Sequence, residues 1–134
     1  MILVVDDDEE MLRMLGRVLR LEGYDVAASV DGTSALTLLE EYAPDLVILD
    51  IMMPGPDGFQ VLDSIRQRSN IPVVMLTAKC EKSSLDIALA LGADDYIEKP
   101  LSIRELVARI RAKLRCASPG VTLPESPKST TLRM

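Results

Sequence analysis

The sequence predicts an α/β fold, a single parallel sheet with helices on both of its faces. Short aliphatic runs alternate with amphipathic segments five times along the chain. Three of the runs, Ile2–Val5, Leu46–Leu49 and Val73–Leu76, are apolar at every position. Runs without polar alternation suit central parallel strands that are covered on both sides. Repeated strand–helix units, in turn, build parallel sheets joined by right-handed crossovers.

The elements follow in order. Strand Ile2–Val5 runs into Asp6-Asp7-Asp8, and the next segment places Met11, Leu12, Leu15, Val18 and Leu19 on one helical face. Gly23 stands where a helix-terminating glycine belongs. A second strand spans Asp25–Ser29, and Ala35, Leu38, Leu39 and Tyr42 repeat the helical spacing. The third strand, Leu46–Leu49, ends in Asp50, and Asp57 is suited to capping the helix that follows. After Val73–Leu76 comes Thr77. Leu85–Leu91 is apolar on more than one face, so its outward side is not assigned, and Gly92 terminates it. The fifth strand, Asp94–Ile97, leads to Lys99-Pro100. Ser102 then caps a last helix with Ile103, Leu106, Val107, Ile110 and Leu114 on one face.

The chain has 134 residues, enough for one domain. Aromatic residues are scarce, so aliphatic side chains must form the core. The domain boundary falls near Arg115. Residues 116–134, rich in proline, serine and threonine and without apolar periodicity, read as a flexible linker or tail. A net charge of −6 argues against direct DNA binding by this segment, since such binding rests on cationic contacts to phosphates. The sequence contains no histidine, which excludes a phosphohistidine carrier, a Ser-His-Asp triad and an ordinary zinc enzyme site. Cys80 and Cys116 lack CxxC spacing; one disulfide is compatible with them, but two reduced thiols in a reducing compartment are the favoured reading. No stretch reaches the ~18 apolar residues of a membrane span, and Ile2–Val5 is too short for a signal-peptide core. A cytoplasmic protein without membrane contact is expected.

Parallel sheets bind ligands beyond the carboxyl ends of their strands. Those ends carry Asp6, Asp7 and Asp8, then Asp50, Thr77 and Lys99. Clustered carboxylates repel one another unless a cation lies among them. An oxygen-only site suits Mg²⁺, with Mn²⁺ as an alternative. Such an ion could neutralise a phosphoryl group on Asp50 while Thr77 and Lys99 hold its remaining oxygens, the positioning and charge balance that phosphoryl transfer requires. No GxxxxGK or GxGxxG loop is present to hold a donor nucleotide, so the phosphoryl group must come from a partner or a small molecule. Taken singly, each residue has a plainer reading: an acidic run caps a helix, Asp50 is a turn residue, Thr77 a turn hydroxyl, Lys99 a solvated charge. Their recurrence at successive strand ends favours a site.

The segments carrying these residues are Ile2-Leu-Val-Val-Asp6-Asp7-Asp8, Asp45-Leu-Val-Ile-Leu-Asp50-Ile-Met-Met-Pro54-Gly-Pro-Asp57-Gly58, Val74-Met-Leu-Thr77-Ala78 and Gly92-Ala-Asp-Asp-Tyr96-Ile-Glu-Lys99-Pro100. Together they closely resemble the receiver domains of two-component response regulators, over residues 1 to about 115. The resemblance implies a flavodoxin-like (βα)5 fold with strand order 2-1-3-4-5. It implies a phospho-accepting switch rather than an enzyme, with Asp50 as phospho-acceptor and a sensor histidine kinase as phosphodonor. Asp6, Asp7, Asp50 and the backbone carbonyl of Met52 would hold Mg²⁺. Thr77 and Lys99 would bind phosphoryl oxygens, Tyr96 would be the switch aromatic, and the Lys99–Pro100 bond would be cis.

Residues 92–115 look most like the OmpR/PhoB branch of DNA-binding regulators. In that branch the fourth helix, fifth strand and fifth helix form a homodimer face. Asp95 and Arg109 are then the candidate cross-dimer pair, with Glu105 on the same face. Leu85 stands where a basic partner of Glu105 is usual. The output would be transcription, through a DNA-binding domain not contained in these residues. The proline-rich segment suits either a linker to such a domain or a natural tail.

Other classes fit less well. A haloacid-dehalogenase-type phosphatase needs an acid–base Asp two residues after its nucleophile, where this chain has Met52. A pseudo-receiver would have lost the acceptor, the acidic pair or the lysine, all of which are present. A flavodoxin-like electron carrier would not place acids in its phosphate-binding turn. By the resemblance to receivers, Met52 and Lys79, two residues beyond Asp50 and Thr77, would flank the path of an attacking water, and bulky or charged groups there imply a long-lived phosphoryl group.

Overall fold

The computed structural model describes residues 1–53, 55–77, 82–99 and 102–117, and the side chains of all of these except 82–84, 116 and 117. Five strands, β1 (Ile2–Val5), β2 (Val26–Ser29), β3 (Leu46–Asp50), β4 (Val73–Thr77) and β5 (Asp95–Glu98), alternate with five helices. The helices are α1 (Glu9–Leu21), α2 (Gly32–Tyr42), α3 (Gly58–Arg66), α4 (Lys82–Ala90) and α5 (Ile103–Ala117). All strands pair in parallel, in the order β2-β1-β3-β4-β5.

Side chains alternate across a strand, and here both faces are apolar. Leu3, Val5, Val47, Leu49, Val73 and Met75 pack with Ala35 and Leu39 of α2, Val61, Leu62 and Ile65 of α3, and Ala88 of α4. On the opposite face Ile2, Val4, Leu46, Ile48, Val74, Leu76 and Ile97 meet Leu12, Leu15 and Leu19 of α1 and Leu106 and Ile110 of α5. Three wholly apolar runs therefore occupy the middle of the sheet.

Local chemistry sets the helix ends. Asp8 caps α1, accepting from the Glu10 amide at 3.0 Å. Asp57 and Gln60 form a reciprocal capping box on α3, each side chain accepting from the other's amide. Ser102 accepts from the Glu105 amide at the start of α5. Gly23 and Gly92 both have positive φ, as their terminating role requires. The expected bounds shift by a residue in places. Strands β3 and β4 extend to include Asp50 and Thr77, and β5 begins at Asp95 because the Asp94 amide and carboxylate both bind Val73 at the start of β4. Tyr42 is exposed rather than inward, since α2 ends there and the chain turns away at Ala43 with φ 45°. Helix α5 continues to Ala117, two residues beyond the expected boundary. Residues 118–134, Pro54, Lys79, Cys80 and the Lys99–Pro100 bond lie outside the described residues.

Candidate functional site at the carboxyl edge of the sheet

Three adjacent strands bring their ends together here. Asp6 follows β1, Asp50 closes β3 and Thr77 closes β4, and all three are almost fully buried, at 0%, 4% and 4% exposure. Lys99 follows β5, and its amide donates to the Thr77 carbonyl at 2.6 Å, tying it to the end of β4. Its ammonium reaches back to donate to Asp6 Oδ2 at 2.9 Å and lies 3.7 Å from Asp50 Oδ1. The other Asp6 oxygen accepts from the Asp8 amide at 2.9 Å, and Asp50 Oδ1 accepts from the Met52 amide at 3.4 Å.

Carboxylate oxygens of Asp6, Asp7 and Asp50 come within 4.8 Å of one another. Asp7 is exposed and leaves one side of the cluster open. Burial, together with the neighbouring Asp6 charge, pushes the Asp50 carboxyl up to about 6, against the opposing pull of Lys99. For Lys99, burial works against the charged form. The hydrogen bond to Asp6 and the negative charges of Asp50, Asp6 and Asp8 outweigh it and hold the ammonium above the ordinary lysine range. One partly buried cation thus shares two buried carboxylates, leaving an excess of negative charge. Hard oxygen donors with uncompensated charge and an open side suit a divalent cation such as Mg²⁺.

The acidic run divides by function. Asp6 and Asp7 face the cluster, while Asp8 turns away to cap α1. The Met52 side chain is 71% exposed beside the site. Tyr96 on β5 is partly buried and packs against the α2–α3–α4 side of the core. On the far side of β5, Arg109 bonds to Asp95 of its own chain at 2.5 Å and to Glu105 at 3.3 Å. Leu85 is partly exposed on α4, and Glu105 takes its charge partner from its own helix instead.

Two contributors were not read from the sequence as parts of this edge. Gly58 packs so tightly that a Cβ there would lie 2.4 Å from the Asp50 carbonyl oxygen and 2.6 Å from Ile51 Cα. The Asp-Gly pair after Pro54 was its only signal. Ser29 is buried at the end of β2 beside Asp6 and donates to the Asp31 carbonyl at 2.7 Å. Nothing in the sequence distinguished it.

Five parallel strands in the order β2-β1-β3-β4-β5, with an acidic cluster and an ammonium at the carboxyl edge, make a receiver-type fold. Residues 2–111 match the response regulator receiver domain family, and the chain belongs to it. It is 54% identical over 114 residues to the DNA-binding response regulator MtrA of Mycobacterium tuberculosis, covering 85% of this chain and 50% of that protein. The Mycolicibacterium smegmatis MtrA is 52% identical over the same length and coverage. The chain therefore spans about half the length of these curated relatives. Among solved structures, the BeF3-activated receiver domain of Klebsiella pneumoniae RstA superposes with a TM-score of 0.82 at 35% identity, over 85% of this chain and 97% of that one. A CheY-like receiver from Methanospirillum hungatei gives 0.83 at 31% identity, over 87% and 94%. Among the described residues, no helix is long and apolar enough to cross a membrane.

Proposed function

We propose that this chain is the phospho-accepting switch of a two-component response regulator, with Asp50 as the acceptor. The observation that carries the reading is the shared position of Asp50, Asp6 and Lys99, two buried carboxylates around one ammonium beside an exposed third carboxylate. Asp6, Asp7, Asp50 and the Met52 carbonyl would hold Mg²⁺, or Mn²⁺. Bound there, the ion supplies the positive charge that lets a carboxylate accept an anionic phosphoryl group. Ionised Asp50 would attack phosphorus in line as the P–N bond of a sensor kinase's phosphohistidine breaks, leaving the acyl phosphate on Asp50 and the imidazole on the kinase. Lys99 and the Thr77 hydroxyl bind phosphoryl oxygens, and the displaced Asp6–Lys99 contact re-forms around the new dianion. Tyr96 responds as Thr77 shifts, so the added charge biases a two-state element.

Activated chains would pair through α4, β5 and α5, with Asp95, Arg109 and Glu105 at that face, as in OmpR/PhoB regulators. The MtrA relatives are DNA-binding response regulators, which supports a transcriptional output through a domain outside residues 1–115, with no DNA contact by this segment. A cytoplasmic location fits such a partner set. The proline-, serine- and threonine-rich residues beyond α5 would serve as the linker or tail.

Acetyl phosphate or beryllofluoride, with and without Mg²⁺, tests the reading on wild type and Asp50→Asn. A Mg²⁺-dependent adduct, seen by mass spectrometry and absent in the variant, is expected, with slow loss of the label where the exposed Met52 side chain stands beside the acceptor. No adduct and no mimic binding would reduce the domain to a phosphate-independent docking module.

A further inference from the structure

The two halves of the site hang from different strands. The acidic half, Asp6, Asp7 and Asp50, belongs to β1 and β3, whereas Thr77 and Lys99 belong to β4 and β5. At the opposite end of the sheet a single side chain ties β4, β5 and α4 together. Arg66, the last residue of α3, is largely buried. Its Nε donates to the Gly92 carbonyl at 2.8 Å, and Nη1 donates to the Ile71 carbonyl at 2.7 Å and the Ser69 carbonyl at 3.4 Å. Nη2 donates to Asp94 Oδ2 at 2.6 Å. Four of the five N–H groups of a guanidinium are thereby used. The same Asp94 oxygen accepts from the Val73 amide at 2.8 Å, and the Asp94 amide returns a bond to the Val73 carbonyl at 2.9 Å.

These contacts converge on one corner: the start of β4, the residue before β5, and the turn that ends α4. Gly92 allows it twice, through its φ of 101° and because a Cβ there would press on Arg66 Nε at 3.0 Å. The body of α4 is held far less firmly. Of its described side chains only Ala88 is buried, while Ile87 and Leu89 are 47% and 51% exposed. A rigid planar fork fixing three backbone carbonyls and a carboxylate is a geometric device that lysine cannot copy.

We propose that Arg66 is a positioning residue for the phosphoryl-binding half of the site. It anchors the α4–β4–β5 corner, so that Thr77 and Lys99 arrive at fixed positions and α4 moves about a fixed carboxyl end. The acidic half, carried by β1 and β3, does not depend on it. This rests on the reading of Asp50 as acceptor.

Arg66→Met and Arg66→Lys test it in the whole chain, at a temperature where each variant is folded. Mg²⁺ affinity is measured calorimetrically, and beryllofluoride affinity is measured at saturating Mg²⁺. Hydrogen exchange of the Val73, Gly92 and Ala93 amides is followed in the free protein. In Arg66→Met, beryllofluoride binding weakens at least tenfold, Mg²⁺ affinity stays within twofold, and the Val73 amide exchanges at least tenfold faster. Arg66→Lys, which can still meet Asp94 but not all three carbonyls, falls between, and it carries the test if Arg66→Met does not fold. Equal loss of both affinities, or loss of neither, overturns the proposal. A wild type that binds neither Mg²⁺ nor beryllofluoride overturns the acceptor reading instead, which keeps the two failures apart.

Discussion

Asp50 pays in stability for its position. Its carboxyl is buried beside Asp6, and its raised pKa of about 6 means that the folded chain keeps a proton there which the unfolded chain loses near pH 4. Between those values the native state binds more protons than the unfolded state, so stability falls as pH rises through the window. The contribution is fully present below about pH 4 and gone above about 6. Asp50→Asn, which removes the charge that faces Asp6, Asp7 and Lys99, is therefore expected to stabilise the metal-free protein at pH 7.5 by about 1–3 kcal/mol. At pH 4 the gain should vanish. Thermal melts across pH 4–8 check this, and a gain independent of pH would assign it to something other than ionisation. Saturating Mg²⁺ should raise the wild-type midpoint and leave Asp50→Asn nearly unmoved.

Among the elements, the β3–α3 connection is under the tightest steric constraint. Gly58 donates its amide to the Ile51 carbonyl at 2.9 Å, with its α-carbon side pressed against the Asp50 backbone. A methyl group at 58 has no room, so Gly58→Ala must push the connection away from Asp50. We expect a stability loss of about 1–3 kcal/mol, the usual cost of overpacking, together with Mg²⁺ affinity at least tenfold weaker by calorimetry. Unchanged affinity would show that Met52 and Asp50 hold their places without this contact. Much of the element level was legible beforehand. Wholly apolar runs gave the central strands, and Asp57, Ser102, Gly23 and Gly92 marked helix ends through residue types that few other roles demand. Asp6, Asp50, Thr77 and Lys99 were legible as strand-end residues because a parallel sheet gathers such ends on one edge. Arg66 was not. Three of its four partners are backbone carbonyls, which carry no residue identity, and the fourth, Asp94, read simply as the start of a strand. The outward face of α4 stayed unassigned for a physical reason too, since Ile87 and Leu89 are apolar and yet exposed.

For the whole molecule, the question is how one chain meets another. Arg109 is occupied within its own chain by Asp95 and Glu105, so a dimer that uses it must exchange partners rather than gain wholly new ones. Exposed ion pairs contribute about 0.2–1 kcal/mol each, and a symmetric interface counts each substitution twice. Arg109→Ala should therefore weaken the proposed dimer, assembled with beryllofluoride and Mg²⁺, by about twofold to thirtyfold in sedimentation velocity, with added salt narrowing the difference. An unchanged dimer constant would remove this residue from the interface. The Asp6–Lys99 bond has a further consequence, because its partners are 93 residues apart in the chain. A polypeptide still emerging from the ribosome presents its acids long before the lysine that balances them. Until the fifth strand is made and docked, the edge is only a patch of mutually repelling carboxylates, and its charge balance arrives late in the synthesis of the domain.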